Sequence, residues 1–269
     1  MGTEFVWPKA IVRQNTDVIE VRQVSQAAML LDIPVTRVAM QDLGAHAAAL
    51  GAGALPVGSV EFVREAMRLA YIAEPEPMSY PVELDQLLCR RLDLTTIERV
   101  RGTKFVKPVR TKLFTGFVWD TSADDASYSK HDREQLDALR MLDPATQVWV
   151  AEPVRFLCEW RYYVCEGQVI GAGRYDPDGY DDAPAPDGEV LLGSIRLLAA
   201  SPKAPAAYGL DLGVLSTGET ALVEVNDGWA LGQYGRSLDP KDYLRLLATR
   251  WRQILAAQPS SEALTPCLS

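Results

Sequence analysis

Apolar and polar residues alternate over residues 9–22, and this period of two predicts short strands. AAMLLDIP then reads as a helix stopped at Pro34, with VTRVAM as the following strand. ALPVGSVEFVREAMRLA predicts a strand, a turn at Gly58–Ser59 and a helix whose N-cap is Ser59. Three prolines within AEPEPMSYP (73–81) mark a linker. Residues 1–80 therefore read as a small α/β unit of alternating elements.

Beyond the linker, ELDQLLCRRL is helix-like, and TKFVKP and LFTGFVWD read as two strands around a basic, flexible turn. An acidic loop leads into a charged helix that opens at His131. QVWVAEPV, CEWRYYVCEG and QVIGAGRYD follow as strands, the last two an antiparallel hairpin turning at EGQ. Residues 176–188 are rich in Pro, Gly and Asp and read as a loop. EVLLGSIRLLAAS is a helix, AYGLDLGVLS and ETALVEVND a second strand pair, and DPKDYLRLLATRWRQILAA a closing amphipathic helix. Residues 258–269 form a tail.

Composition narrows the chemistry. The 269 residues are 48% hydrophobic and 23% charged, which is ordinary globular usage. A formal charge of −9 excludes a general nucleic-acid or anionic-membrane binder, which needs a basic field. No apolar run approaches the ~18 residues that span a bilayer, and the N-terminal stretch lacks the features of a signal peptide. Cys89, Cys158, Cys165 and Cys267 show no CxxC spacing, so buried thiols of a reducing cytoplasm are expected. Only His46 and His131 are present, and both read as surface residues. Histidine-based triads and zinc sites are thereby disfavoured, leaving carboxylates, lysines and arginines to carry any chemistry.

Neither GxxxxGK[ST] nor GxGxxG occurs, so a nucleotide would have to be held another way. Glu224 and Asn226, two apart on one strand, share a face that Asp211 approaches across the hairpin. Three hard oxygen donors suit Mg²⁺, although the same residues also fit the solvent side of an ordinary hairpin. Lys107, before a glycine-containing turn, suits nucleotide phosphates or a solvated strand end. Pro153 interrupts a ladder and frees backbone groups that can read a base edge. Glu159 and Arg161 share a strand face with Arg174 on the next strand, which suits either a phosphoryl clamp or an exposed ion pair.

The order of these pieces resembles the ATP-grasp superfamily: FVKP (105–108), KLFTG (112–116), AEPV (151–154), EWRYYV (159–164), GAGRY (171–175) and DLGVLSTGETALVEVN (211–226). The resemblance covers about residues 85–257. It implies two α+β subdomains gripping ATP, residues 81–148 and 149–257, behind an N-terminal α/β unit. It implies further that Lys107 touches the α/β-phosphates and that Lys112, Thr115 and Gly116 belong to a lid. Glu152 and Val154 would bracket adenine through their backbone, and Glu159 would meet ribose or substrate. Arg161 and Arg174 would be catalytic, and Asp211, Glu224 and Asn226 would hold one or two Mg²⁺ ions. The implied activity is a cytoplasmic ligase joining a carboxylate to an amine through an acyl phosphate, with ATP and Mg²⁺. A kinase of this fold and a non-catalytic binding module are the alternatives. Homodimers occur among such enzymes, but no exposed apolar stripe points to one here.

Two departures from the pattern stand out. The lid has Gly116 alone, and the further lysine of many relatives is replaced by Arg90, Arg91, Arg101 or Lys104. Trp229 and Tyr234 either wall the substrate pocket or pack under the last helix.

Overall fold

A computed structural model describes residues 5–176 and 182–258. Residues 177–181 of the Pro/Gly/Asp-rich loop, and residues 259–269 of the tail with Cys267, lie outside the described residues. Three sheets are present among the described residues. The first is parallel, in the order β2-β1-β3, from β1 (Ile11–Gln14), β2 (Val35–Val38) and β3 (Leu55–Val57). Its connections carry α1 (Ile19–Leu30) and α2 (Ala47–Gly51), and α3 (Val60–Leu69) follows β3. Ser59 caps α3 as expected, its Oγ accepting from the Phe62 amide at 3.3 Å.

The second sheet is antiparallel, in the order β4-β7-β5-β6: β4 (Leu92–Thr96), β5 (Thr103–Pro108), β6 (Phe117–Asp120) and β7 (Gln147–Ala151). Helix α4 (Lys130–Arg140) closes one face, where Leu136 and Leu139 pack with Val106, Phe117 and Val148. The third sheet, order β11-β10-β8-β9, comprises β8 (Phe156–Cys165), β9 (Gln168–Arg174), β10 (Ala207–Leu215) and β11 (Thr220–Asp227). Helix α5 (Gly188–Ala199) covers one of its faces through Ile195 and Leu198, against Tyr162, Leu210 and Leu222. Helix α6 (Pro240–Ala256) packs with α1, so that Leu244, Leu247 and Trp251 share one core with Val21, Val24 and Ala28. No helix among the described residues is long and apolar enough to cross a membrane.

Four expectations are corrected. The strand pattern over residues 9–22 ends at Gln14, because Val21, Val24, Ala27 and Ala28 recur at helical spacing and start α1 at Ile19. Residues 83–92 do not form one helix. A 3₁₀ turn spans Val82–Leu87, Cys89 takes a left-handed φ of 50°, and LDLTT begins the second sheet as β4. Cys89 is exposed, whereas Cys158 and Cys165 are buried and free. The boundary expected at 148/149 falls inside β7, which hydrogen-bonds β4 and β5, so the sheet-level break comes after Ala151.

Two glycines of β9 position the segment that leads into α6. A Cβ on Gly171 would run into the Ser237 carbonyl, and one on Gly173 into the Ser237 hydroxyl. The segment around residues 232–238 therefore crosses β9 at backbone distance. Gly171→Ala is expected to destabilise the chain by about 1–3 kcal/mol, as overpacking does. Thermal denaturation checks this, and an unchanged melting temperature would show that the segment is not held against β9.

Candidate active site

Two β-bulges decide which side chains meet. A two-residue turn at Glu166–Gly167, both at positive φ, joins β8 to β9. A bulge at Tyr163/Val164 then shifts the register, pairing Arg161 with Gly173 and Trp160 with Arg174. Between β10 and β11 a second irregularity at Asp211/Leu212 pairs Asp211 with Glu224 instead of Val223. Because side chains alternate, each one-residue shift exchanges the face presented. Asp211 is also directly opposite Arg161 on β8, so Arg161, Asp211 and Glu224 lie side by side across three strands.

Asp211 is fully buried (0% exposed) and Arg161 nearly so (6%). Their contact is bidentate: Nε to Oδ1 at 2.8 Å and one terminal guanidinium nitrogen to Oδ2 at 2.7 Å. Asn226 donates to the same Oδ2 at 3.1 Å, and the Tyr175 hydroxyl lies 3.4 Å from it. Burial alone would lower the Arg161 pKa, but the adjacent Asp211 carboxylate outweighs it and holds the guanidinium more basic than usual. Gly209 makes room for this side chain, since a Cβ there would sit 3.2 Å from Arg161 Cδ and Nε. Tyr175 and Tyr234 stack at 4.4 Å, and the guanidinium lies 4.8 Å from the Tyr234 ring centroid. Glu159, two residues before Arg161, has its pKa raised by burial, partly offset by a hydrogen bond with Tyr175.

Lys107 comes to this cluster from the second sheet. Its ammonium contacts Glu224 and lies 5.2 Å from the Tyr80 ring centroid. Burial lowers its pKa, Asp211 raises it, and Arg161 and Arg90 lower it again, leaving it at about 7. Tyr80 packs edge-on against Trp149, which is paired with Lys107, and burial pushes its own pKa up to about 12. The two antiparallel sheets thus face each other across a cleft bridged by the Lys107–Glu224 pair.

The turn after β5 is tied at both ends. Arg64 of α3 donates to the Thr111 carbonyl and hydroxyl, each at 3.0 Å, and the Thr115 amide donates to Gln135 of α4 at 2.6 Å. Lys112 takes a left-handed φ of 70°, and a Cβ on Gly116 would stand 2.7 Å from the Phe105 ring.

A family model described as an ATP-grasp domain, the second family of its clade, matches residues 88–246. The chain belongs to this family. No curated protein matches it in sequence. Among solved structures, it is similar to D-cycloserine synthetase DcsG at 13% identity and a TM-score of 0.58, over 91% of this chain and 100% of that one. It is also similar to the ATP-grasp ligase PsnB complexed with minimal precursor (16%, 0.52, 90% and 99%). An L-amino acid ligase from Bacillus licheniformis is a third (12%, 0.54, 92% and 76%). These likenesses establish the ATP-grasp fold, with its two facing α+β layers.

Within this ATP-grasp domain, Lys107, Arg161, Asp211, Glu224 and Asn226 form one cluster, with Glu159 beside it. Arg174 does not join Arg161: the bulge turns it to the Trp160 face, where it pairs with Asp176 at 2.8 and 2.9 Å. Tyr175 takes the position beside Arg161 instead. Of the four basic residues that could stand for the further lysine, Arg90 donates to the Leu88 and Leu222 carbonyls at 3.0 and 3.3 Å, which places it beside β11, the strand of Glu224. Arg91 pairs with Asp93, Arg101 bonds local carbonyls, and Lys104 pairs with Glu152 at 3.4 Å. Residues 152–155 leave the ladder after β7, with the Glu152 side chain turned to Lys104 and Val154 exposed. Trp229 is buried in the α6 core, as expected of packing under the last helix, and Tyr234 stacks on Tyr175 beside Arg161.

Tyr80, Trp149 and Tyr175 were not anticipated. Tyr80 sits in the proline-rich linker, whose only signal was its aromatic residue; Tyr175 follows a strand residue that counted as the functional one. Asp227, adjacent to Asn226, forms a second bidentate pair with Arg250 of α6, both contacts at 2.6 Å.

Among the described residues, no group of three His, Cys, Asp or Glu side chains forms a metal cage. Asp211 and Glu224 are paired across β10 and β11, and Asn226 turns its amide nitrogen to Asp211, so the two carboxylates are the hard oxygen donors here that Mg²⁺ could use together with water and phosphate oxygens. Their present partners, Arg161 and Lys107, are cations that a metal would replace in kind.

Removing one partner of a buried ion pair strands the other charge. Asp211→Leu and Arg161→Met should each cost about 3–5 kcal/mol in urea denaturation, and the double replacement far less than their sum. Additive losses would show that the pair is not coupled.

Proposed function

We propose that the chain is an ATP-dependent ligase that activates a carboxylate as an acyl phosphate and passes the acyl group to an amine. The observation that carries this reading is the opposition of Lys107 on one sheet to the Arg161–Asp211–Glu224–Asn226 array on the other. Cations and hard-oxygen donors facing each other across a cleft are what a polyphosphate with its divalent ion requires. Phosphoryl transfer asks the protein mainly for positioning and charge neutralisation, which fits a site built without histidine.

In this reading Lys107 and Arg90 hold nucleotide phosphates, and the backbone of Glu152 and Val154 brackets adenine. Lys112, Thr115 and Gly116 cover the phosphates from the turn that Arg64 and Gln135 anchor. Asp211, Glu224 and Asn226 hold Mg²⁺, which supplies charge neutralisation on the phosphate oxygens. Arg161 neutralises the transferring γ-phosphoryl group and the acyl phosphate, steadied by Tyr175 and Tyr234. A substrate carboxylate oxygen forms a bond to the γ-phosphorus as the bond to ADP breaks. The amine nitrogen then bonds the acyl carbon, phosphate leaves, and the amine proton passes to the departing phosphate or to water. Glu159 borders ribose or substrate, and Arg174, held by Asp176 on the other face, has no part in the chemistry. An amino acid is the first carboxylate to test, since an L-amino acid ligase is among the structures that share this fold.

Phosphate release measured with ATP and Mg²⁺ over amino acids and dipeptides, with hydroxylamine present, tests this. Substrate-dependent phosphate and a trapped hydroxamate are expected, with Glu224→Ala reducing both by roughly 10²–10³-fold, as losing a key charge-stabilising group does. A phosphorylated product stable to hydroxylamine, without hydroxamate, would instead make the chain a kinase. Arg174→Ala is expected to leave turnover within about twofold, since the half-buried Arg174 pairs with Asp176 away from the Arg161 cluster. A loss comparable to that of Glu224→Ala would place Arg174 back in the cleft.

A further inference from the structure

The N-terminal α/β unit has a cavity of about 390 Å³ at the end of β1, lined by Arg13, Asn15, Thr16, Arg22, Ser25 and Arg37, with Asp17 at its edge. None of its lining residues belongs to the nucleotide cleft. Arg13 and Arg37 are direct neighbours on the parallel strands β1 and β2, an arrangement of like charges that is unfavourable unless something neutralises it. Arg13 is 6% exposed, yet its Nε has no hydrogen-bond partner. One of its terminal nitrogens bonds only backbone carbonyls, those of Gln14 at 3.2 Å and Thr16 at 3.4 Å. No carboxylate among the described residues lies within ion-pair distance of Arg13 or Arg37. Among the lining residues the one anion is Asp17, exposed and 3.7 Å from Arg22. Burial and then Arg37 hold the Arg13 pKa below its usual value, Asp17 pulling weakly the other way.

Two guanidiniums side by side on adjacent strands, one of them buried and both lining one cavity, have the make-up of an anion site awaiting its ligand. Three guanidiniums against one carboxylate leave a local charge near +2. That matches the dianionic phosphoryl group better than a monoanionic carboxylate, and the planar forks of Arg13 and Arg37 suit its oxygens. The volume exceeds that of a bare ion and falls in the range of small-molecule pockets. We propose that this cavity binds a phosphoryl group, as free phosphate or as a phosphate monoester, separately from the nucleotide cleft. The polar residues Asn15, Thr16 and Ser25 would then border the remainder of an ester ligand.

Thermal denaturation and calorimetric titration at constant ionic strength, with inorganic phosphate and with O-phosphoserine as probes, decide the matter. Wild type, Arg37→Gln and Lys107→Gln are compared, the last as the variant of the cleft. Phosphate at about ten times its dissociation constant should raise the wild-type melting temperature by roughly 2–4 °C. Lys107→Gln should keep that shift and Arg37→Gln should lose it. Without phosphate, Arg37→Gln should melt no lower than wild type, because the exposed Arg37 contributes repulsion rather than packing. A stronger response to O-phosphoserine assigns the group to an ester, and an equal one to free phosphate; either upholds the site. No response of wild type to tens-of-millimolar probe overturns it, as does a shift abolished by Lys107→Gln but kept by Arg37→Gln.

Discussion

Asp211 sits at the centre of the C-terminal sheet without any exposure to water, and a carboxylate in that position must be paired or neutralised. Arg161 meets this demand from the neighbouring strand with two short parallel contacts, and Asn226 adds a third from the other side. The rest of the cleft follows from that arrangement. Gly209 is needed because the guanidinium stem lies over it, and the Tyr175–Tyr234 stack lies against the guanidinium. The Gly232 carbonyl accepts from both Arg161 and Tyr163, which holds the segment entering α6. A charge pair of this kind contributes little net stability, yet it fixes one geometry, because every alternative leaves a buried charge unmatched.

The N-terminal unit is tied into the same system at two places. Glu20 and Gln23 of α1 accept from Gln233 in the segment beside the cleft, while Arg64 of α3 holds Thr111 in the turn after β5. Helix α1 also shares its core with α6, whose Arg250 pairs with Asp227 next to Asn226. The turn after β5 and the strand that carries Glu224 and Asn226 are thereby both tied to the N-terminal unit. Lys107 and Glu224 close the remaining gap by contacting each other, a neutral pairing that a phosphate chain and its divalent ion would divide between them.

Much of this was legible in the sequence. The strand–turn–helix at residues 54–70, the EGQ hairpin, the last strand pair and the closing helix announce themselves through periodicity and turn chemistry. The ordered set from Lys107 to Asn226 identified the ATP-grasp pattern, and the family match covers all of it. What periodicity could not supply was the two bulges. Counting outward from the EGQ turn with strict alternation places Arg174 opposite Glu159, on the Arg161 face; one extra residue near Ile170 moves it away and substitutes Tyr175. The same counting places Asp211 opposite Val223, and the bulge there brings it to Glu224. Tyr80 was hidden, and Arg90 could not be told from Arg91, Arg101 and Lys104, for a different reason: both lie on irregular chain, where side-chain direction has no period to follow. β4 was missed because its leading residues continued the apolar spacing of the 3₁₀ turn before it.

The proposed ligand of the space between Lys107 and the Arg161–Asp211–Glu224–Asn226 array is a nucleotide with its divalent ion. Calorimetric titration with a non-hydrolysable ATP analogue, with and without Mg²⁺, is the test. Saturable binding of one nucleotide per chain is expected, dependent on Mg²⁺ and strongly weakened in Lys107→Gln. Absence of binding at millimolar nucleotide, or binding indifferent to both Mg²⁺ and the Lys107 replacement, would contradict that proposal.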